Sequence, residues 1–440
     1  RMPPVRLVDS RRRFGRHFPR DALYSESLVA RLQIDSICEV HQGCVNSLAY
    51  SSTGEWILSG SDDLRLVLSK PGLKGPVIGA KVKTGHTANI FCARFLTDRS
   101  AVSSSRDTQI RVVDLERATA TRVFADHRKA VQKLTTDSSC PSVFRSCAED
   151  GTCREYDLRE SASSGTKLVA WDAQMFSMAS TAARPELFVI GGEQDAVCLY
   201  DRRKLGTRKD PMHVRPLAQF AFGRPPRLRQ RQVVTGVDMS RDGRRIVGSY
   251  MSGPLCIFDV SELDEATPVQ FPFAPAKRTA SEALESPPRR DTANSGASMH
   301  QPAMTCVGHI NTRTIKEGRF VGMNDQYVAS GSDNRSLIIW NRQGSIVFAG
   351  SEADCMTVNC ISQSPICPDI ATSGLDNDVK VWRPHRDKPV GKNDVLRCVG
   401  NLSLDSGGSV SELMDSESSE EGSFSVFSSD GESSPEFVLG

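Results

Sequence analysis

Seven short segments of this chain end alike, at nearly regular intervals. They are LRLVLS, QIRVVD, TCREYD, AVCLYD, LCIFD, LIIWN and VKVWR. Their last residues are Ser69, Asp114, Asp157, Asp201, Asp259, Asn341 and Arg383, at successive intervals of 45, 43, 44, 58, 82 and 42 residues. Most of these intervals match the ~40–45 residues of a four-stranded propeller blade, so a repeat architecture constrains the fold before any other feature does.

Each ending follows a second strand and a tight turn, as in WILSGSDD, VFRSCAEDG, YVASGSDN and DIATSGLDN. The second strands finish in small residues, which suit blades crowding toward an axis. The turn Asp or Asn can hydrogen-bond its own backbone and tolerates unusual dihedrals. First strands precede these: VNSLAYS, NIFCARFL, VQKLTTD, VVTGVDMS and TVNCISQS. His41, His86, His127 and His309 stand just before first strands, two of them in GH dipeptides. Period, GH and the aromatic-Asp endings together predict an all-β fold, a seven-bladed WD-repeat β-propeller. The four histidines are expected to be buried hydrogen-bonding groups, each tying its own blade together, rather than ligands. A ring must close to protect its edges. The alternating segment SLVARLQI, residues 27–34, is expected to form the outer strand of the last blade, beside the run from Asp378 to Trp382.

The expected organisation is an Arg-rich segment at 1–26, a propeller at 27–390 and an acidic, Ser-rich disordered tail at 391–440. Two intervals are long. One holds residues 202–231, with ten Lys or Arg against one acid. The other holds a Pro-, Ser- and Ala-rich insertion, about 262–303, whose composition cannot bury a core and predicts disorder. Ser286, before Pro287, is a candidate phosphosite there, and Lys277-Arg278 with Arg289-Arg290 is a nuclear-import candidate. From residue 401 onward there are nine Asp or Glu and no Lys or Arg, so the near-zero net charge of +2 hides a basic body and an acidic tail. In that tail Ser418, Ser429 and Ser433 each have Glu three residues on, and Ser434 precedes Pro435, so all four are candidate phosphosites.

No apolar run approaches the ~18 residues of a membrane span, and no membrane contact is expected. The first 20 residues hold seven Arg and no apolar signal-peptide core, which leaves a transit peptide open. The 13 cysteines include no CxxC pair and read as reduced, core-packed thiols of an intracellular protein. Cys355, Cys360 and Cys367 lack zinc-site spacing. There is no phosphate loop, HExxH or GxSxG motif. No catalytic residue, metal or cofactor is therefore expected, and a binding role is the default.

Several stretches resemble one family. VHQGCVNSLAYSSTGEWILSGSDDLRLVLS, GHTANIFCARFL, YDRRKLGTR, GHINTRTIKEGRF, SGSDNRSLIIWNR and ATSGLDNDVKVWRP are similar to the WD-repeat substrate receptors called damaged-DNA-binding-protein-1- and cullin-4-associated factors. Together they span most of residues 31–385. The resemblance implies a substrate-recognition subunit of a cullin-4 RING ubiquitin ligase, present in nucleus and cytoplasm, with protein substrates that the sequence does not name. It also implies that an aromatic-Asp-x-Arg ending docks the adaptor. The aromatic packs between blades, the Asp fixes the strand end and the Arg projects. Here that marks Tyr156, Asp157 and Arg159, then Tyr200, Asp201 and Arg203. Arg342 follows Trp340-Asn341 one position early, and Arg117 follows Asp114 with Val113 for the aromatic, so both depart from the pattern. An Arg-rich helix over residues 10–23 would be a second docking element, although Pro19 would end it. Neither an Ile-Gln nor a Leu-Leu dipeptide occurs, so calmodulin binding and the LxxLL coactivator box are not carried over. The alternative is a chromatin- or nucleic-acid-associated scaffold or transcriptional coactivator, making weak phosphate contacts through residues 202–231.

Overall fold

The computed structural model describes residues 24–72, 75–137, 139–161, 164–205, 214–223, 232–261 and 299–399. Of two units, Arg1–Ser403 and Leu404–Gly440, only the first contains described residues. The expected docking helix at 10–23, and Ser286, Ser418, Ser429, Ser433 and Ser434, lie outside them.

The described part of the first unit is nearly all β, with seven sheets, antiparallel except for one short pairing, arranged as the blades of a propeller. Blade 1 runs from Val45 to Lys83, blade 2 from Ile90 to Phe124 and blade 3 from Val131 to Ala170. Blade 4 begins at Met175, blade 5 at Val234, blade 6 at Gly318 and blade 7 at Val358. The seven segments that announced the repeat are the third strands, from Arg65–Lys70 in blade 1 to Asp378–Pro384 in blade 7. Their aromatics are buried: Tyr156, Tyr200, Phe258, Trp340 and Trp382 are all 2% exposed or less.

Antiparallel neighbours make the first and third strands of a blade run in the same sense. First strands end at Tyr50, Thr97, Thr136, Thr181, Met239, Val321 and Gln363, one per blade. These ends line two adjoining cavities. They therefore meet around the mouth of the central channel, and the third strands end on that same side. We call it the exit face.

Three histidines tie the second strand to the turn that follows it. The Nε2 atoms of His41, His86 and His127 lie 2.7, 3.0 and 2.7 Å from the hydroxyls of Ser59, Ser103 and Ser146. Their Nδ1 atoms lie 3.0, 2.9 and 3.1 Å from Asp63, Asp107 and Asp150. Each Asp also accepts the backbone N–H two residues on, from Arg65, Gln109 or Thr152, at 2.9 to 3.0 Å. These bonds hold the intervening Leu64, Thr108 and Gly151 at positive φ. Burial would raise the three carboxyls, but the histidines and backbone donors hold them below the ordinary carboxylate range.

His309 departs from this pattern and corrects the expectation for it. Neither ring nitrogen has a hydrogen-bond partner. The reason is its would-be acceptor. Asp333 is ion-paired with the fully buried Lys316 and accepts from Thr312 N, Arg313 N and Thr357 Oγ1 at 2.7 to 3.1 Å. His309 instead packs edge-on to Trp340, with ring centroids 5.6 Å apart. Burial, together with the Lys316 cation, pushes its pKa down to about 4. A base whose folded pKa lies below its unfolded value near 6.5 leaves stability intact above pH 6.5. That stability is lost as pH falls toward 4, to a total of roughly 3 kcal/mol. In His309→Phe the stability lost between pH 7.5 and pH 5 should be smaller than in the wild type by about 2 kcal/mol. Equal losses in denaturant titrations of the two chains would contradict this assignment.

The ring closes through the N-terminal segment, five residues later than expected. Strand Leu32–Glu39 pairs antiparallel with Asp378–Pro384, from Leu32 opposite Pro384 to Glu39 opposite Asp378. Residues Glu26–Val29 form a helical turn, with the Ser25 carbonyl accepting from Leu28 N and Val29 N. The apparent alternation over 27–34 misled because the buried positions are Val29 and Leu32, three residues apart. Tyr24, Val29 and Leu32 join a core cluster with Tyr327, Ile339 and Trp382 of blades 6 and 7.

Three further boundaries change. Met299–His300, expected within the disordered insertion, pairs in parallel with Ala218–Phe220 and adds a fifth strand to blade 4. Lys392–Cys398, expected in the disordered tail, forms a helix that buries Val395 and Cys398, and Asn334 donates to the Cys398 carbonyl at 2.7 Å. The basic stretch 202–231 is divided, because strand Ala218–Phe220 crosses the blade. All 13 cysteines are free thiols and nine are buried. Among the described residues no helix is long and apolar enough to cross a membrane.

Candidate functional site

The third strand of blade 3 delivers Tyr156, Asp157 and, two residues past its end, Arg159 to the exit face. Tyr156 points inward. Its ring stacks on Phe144 at 4.8 Å and tilts against Phe124 of blade 2 at 4.7 Å. That contact wedges the aromatic between blades. Asp157 faces the other way and accepts from three Arg159 donors: the backbone N–H at 2.9 Å, Nε at 2.9 and 3.1 Å to its two oxygens, and Nη2 at 2.5 Å. These charge-assisted bonds from Arg159 hold the carboxyl down to about 2. The Arg159 side chain remains 67% exposed.

Blade 4 repeats this arrangement. Tyr200 stacks on Phe188 at 5.5 Å, and its hydroxyl accepts from Trp171 Nε1 at 2.9 Å. Asp201 accepts from Arg203 N, Nε and Nη2 at 2.9, 3.1 and 2.8 Å. The Arg203 hydrogen bonds hold Asp201 below the usual carboxylate range. Arg203 is likewise 67% exposed over a buried Asp. The next residues form a 3-10 turn, Arg202–Lys204, capped by Asp201. Each aspartate thus sets the direction of the arginine two residues on, and the two arginines occupy equivalent positions in consecutive blades.

A bridge that the sequence did not disclose joins the two blades beneath these arginines. Glu155 of blade 3 accepts from Arg145 Nε at 2.9 Å and from Arg202 Nε at 2.9 Å. Arg145 in turn donates to the Pro185 carbonyl of blade 4 at 3.2 Å. Glu155 lies between Arg154 and Tyr156 in a strand whose only visible signal was its ending, so nothing marked it as a bridge.

The other endings do not reproduce the clamp. The Arg117 backbone N–H donates to Asp114 at 2.9 Å, but its guanidinium stays 3.8 Å away. Arg342 donates to the Asn324 carbonyl at 2.8 Å, while Asn341 caps the following turn by accepting from Gln343 and Ser345. Arg383 is held by Asp369 and Asp35. The repeated, exposed Asp-x-Arg pair therefore belongs to blades 3 and 4.

Little on the described surface suits a metal. Asp354, Cys355 and Asp376 come together, but Asp376 already accepts from Lys380 at 2.7 Å and from the Cys355 N–H at 2.9 Å. Cys360 is buried in the strand Val358–Gln363, away from that group.

Residues 33–68, 79–114 and 345–383 match the family model described as WD domain, G-beta repeat. Over 275 residues the chain is 33% identical to DDB1- and CUL4-associated factor 6 of Homo sapiens, covering 59% of this chain and 31% of that protein. It is 31% identical over 289 residues to Protein ALTERED SEED GERMINATION 2 of Arabidopsis thaliana, covering 54% of this chain and 37% of the relative. It is 30% identical over 210 residues to WD and tetratricopeptide repeats protein 1 of Homo sapiens, covering 46% of this chain and 31% of the relative. The chain thus spans about a third of the length of these relatives. Seven blades and these matches make the chain a WD-repeat β-propeller that is similar, over 59% of its length, to DDB1- and CUL4-associated factor 6.

Proposed function

We propose that this chain is a non-enzymatic substrate receptor of a cullin-4 RING ubiquitin ligase, held to the DDB1 adaptor through the exit face of blades 3 and 4. The observation that carries this reading is the repeated clamp. Two arginines stand at equivalent places in adjacent blades, each aimed by its own aspartate and each largely exposed. Arginine's planar fork suits an interface anchor. Aiming it in advance reduces the ordering cost of binding. The segment before Tyr24 joins the ring on this same face, where strand Leu32–Glu39 begins, so an N-terminal docking element would reach the same partner. The ring itself would act as a rigid platform for protein substrates.

The nucleic-acid reading has less support, because no relative reported above carries a nucleic-acid name.

Affinity purification of the tagged full chain from cells tests the proposal. Adaptor and cullin-4 should co-purify in comparable amounts. Recovery of histones or nucleic acid without them would overturn it.

A further inference from the structure

Each docking turn is gripped by a side chain from the blade before it. In blade 3 the turn after Asp157 closes with Glu160 N donating to the Asp157 carbonyl at 3.2 Å. Arg122, on the outer strand Thr119–Phe124 of blade 2, takes hold of the backbone on either side of Arg159. Its Nη1 donates to the Leu158 carbonyl at 3.1 Å and its Nη2 to the Glu160 carbonyl at 2.8 Å. The Arg122 guanidinium lies 4.8 Å from the centre of the Phe124 ring, the same ring against which Tyr156 tilts.

In blade 4 the grip comes from Glu155 of blade 3. Its Oε1 accepts from Arg202 Nε at 2.9 Å and stands 2.8 Å from Arg202 Nη2, while its Oε2 accepts from Arg145. Arg202 opens the 3-10 turn that carries Arg203. The Glu155 side chain is largely buried, so this link is less screened by solvent than a surface ion pair. Blade 2 supplies the contrast. Its ending lacks the clamp, and among the described residues the turn from Leu115 to Arg117 receives no hydrogen bond or ion pair from blade 1. Another link between blades, the pair of Lys133 with Glu317 at the start of blade 6, touches neither docking turn.

We infer that Arg122 and Glu155 are positioning residues for adaptor binding, each fixing the backbone that carries the docking arginine of the next blade. The aspartates set how the Arg159 and Arg203 side chains point, and the grips set where those residues stand. A turn held only by its own strand can pivot with its clamp intact, and ordering it on binding costs affinity. Both roles rest on the adaptor-docking reading.

The test is a set of double-mutant cycles on the full chain, with affinity for the purified adaptor measured beside a thermal melt. Arg122→Met keeps the apolar stem over Phe124 and removes the donors. Glu155→Gln keeps the shape and removes the charge. Each should weaken binding about tenfold, the cost of ordering one long side chain on binding. The losses should be specific to the blade. Arg122→Met should be silent once Arg159 is alanine and keep its full effect once Arg203 is alanine, and Glu155→Gln should do the reverse. A general loosening of the ring would not distinguish the two backgrounds. If Glu155→Gln lowers the melt, Arg202→Ala breaks the same bridge from its half-exposed end and takes its place in the cycle. Unchanged binding in the two variants, or equal losses in both backgrounds, would overturn the inference while Arg159→Ala and Arg203→Ala still weaken binding. If those two alanine variants bind like the wild type, the docking reading fails and the inference falls with it.

Discussion

Changing Arg159 and Arg203 together to alanine will lower affinity for the adaptor by about 1000-fold while leaving the melting temperature within about 2 °C. Truncating an interface arginine at a hot spot typically costs about 2 kcal/mol or more, which is roughly 30-fold in affinity. The two losses should nearly add, because each arginine is held by its own aspartate in its own blade. Stability should be little changed, because both side chains are 67% exposed and surface substitutions usually stay within about 0.5 kcal/mol. Lysine will not rescue either position, since an ammonium cannot make the paired Nε and Nη2 bonds that aim the guanidinium. Binding measured by surface plasmon resonance beside a melting curve checks this. Lost binding with a collapsed melt would make these arginines structural, and retained binding would place the adaptor elsewhere.

A chain that begins at Val40 will not unfold cooperatively, whereas one that begins at Tyr24 will melt like the full chain. Leu32–Glu39 completes blade 7, and its loss would leave Asp378–Pro384 as an unpaired edge. It would also remove Tyr24, Val29, Leu32 and Cys38 from the core. Each fully buried apolar side chain contributes about 1.5–3 kcal/mol, so these four together contribute roughly 6–12 kcal/mol. That is comparable to the roughly 5–15 kcal/mol that stabilises a typical native protein. Calorimetry on the two truncated chains decides it. A cooperative, unshifted transition for the chain from Val40 would contradict closure by this strand.

What could be read from the sequence was what repeats locally. All seven third strands were visible because similar endings recur, three of them aromatic-Asp and most at blade period, and the turn aspartates beside His41, His86 and His127 behave as their residue types predict. The paired arginines were marked by the same spacing, but their clamp onto Asp157 and Asp201 is a side-chain geometry that spacing does not specify. Long-range features were hidden. Lys133 and Glu317 are 184 residues apart and neither stands in a recognisable pattern. The strand Met299–His300 is too short to show any periodicity and is set by pairing with Ala218–Phe220, far back in the chain. In six blades the first strand carries a register shift near its start, as between Val131 and Lys133, and an irregularity of one residue leaves no trace in an apolar alternation. His309 reads like its three counterparts, and only the neighbouring Lys316 explains why it lost its acceptor.

The central claim is that this ring is an adaptor-bound receptor, and the most direct measurement is a calorimetric titration of purified DDB1 adaptor into the purified full chain. The account predicts saturable 1:1 binding with a dissociation constant at or below about 1 μM, the regime of a specific interface built on hot-spot anchors. No detectable heat or complex at tens of micromolar of both proteins, with the ring melting normally, would contradict it.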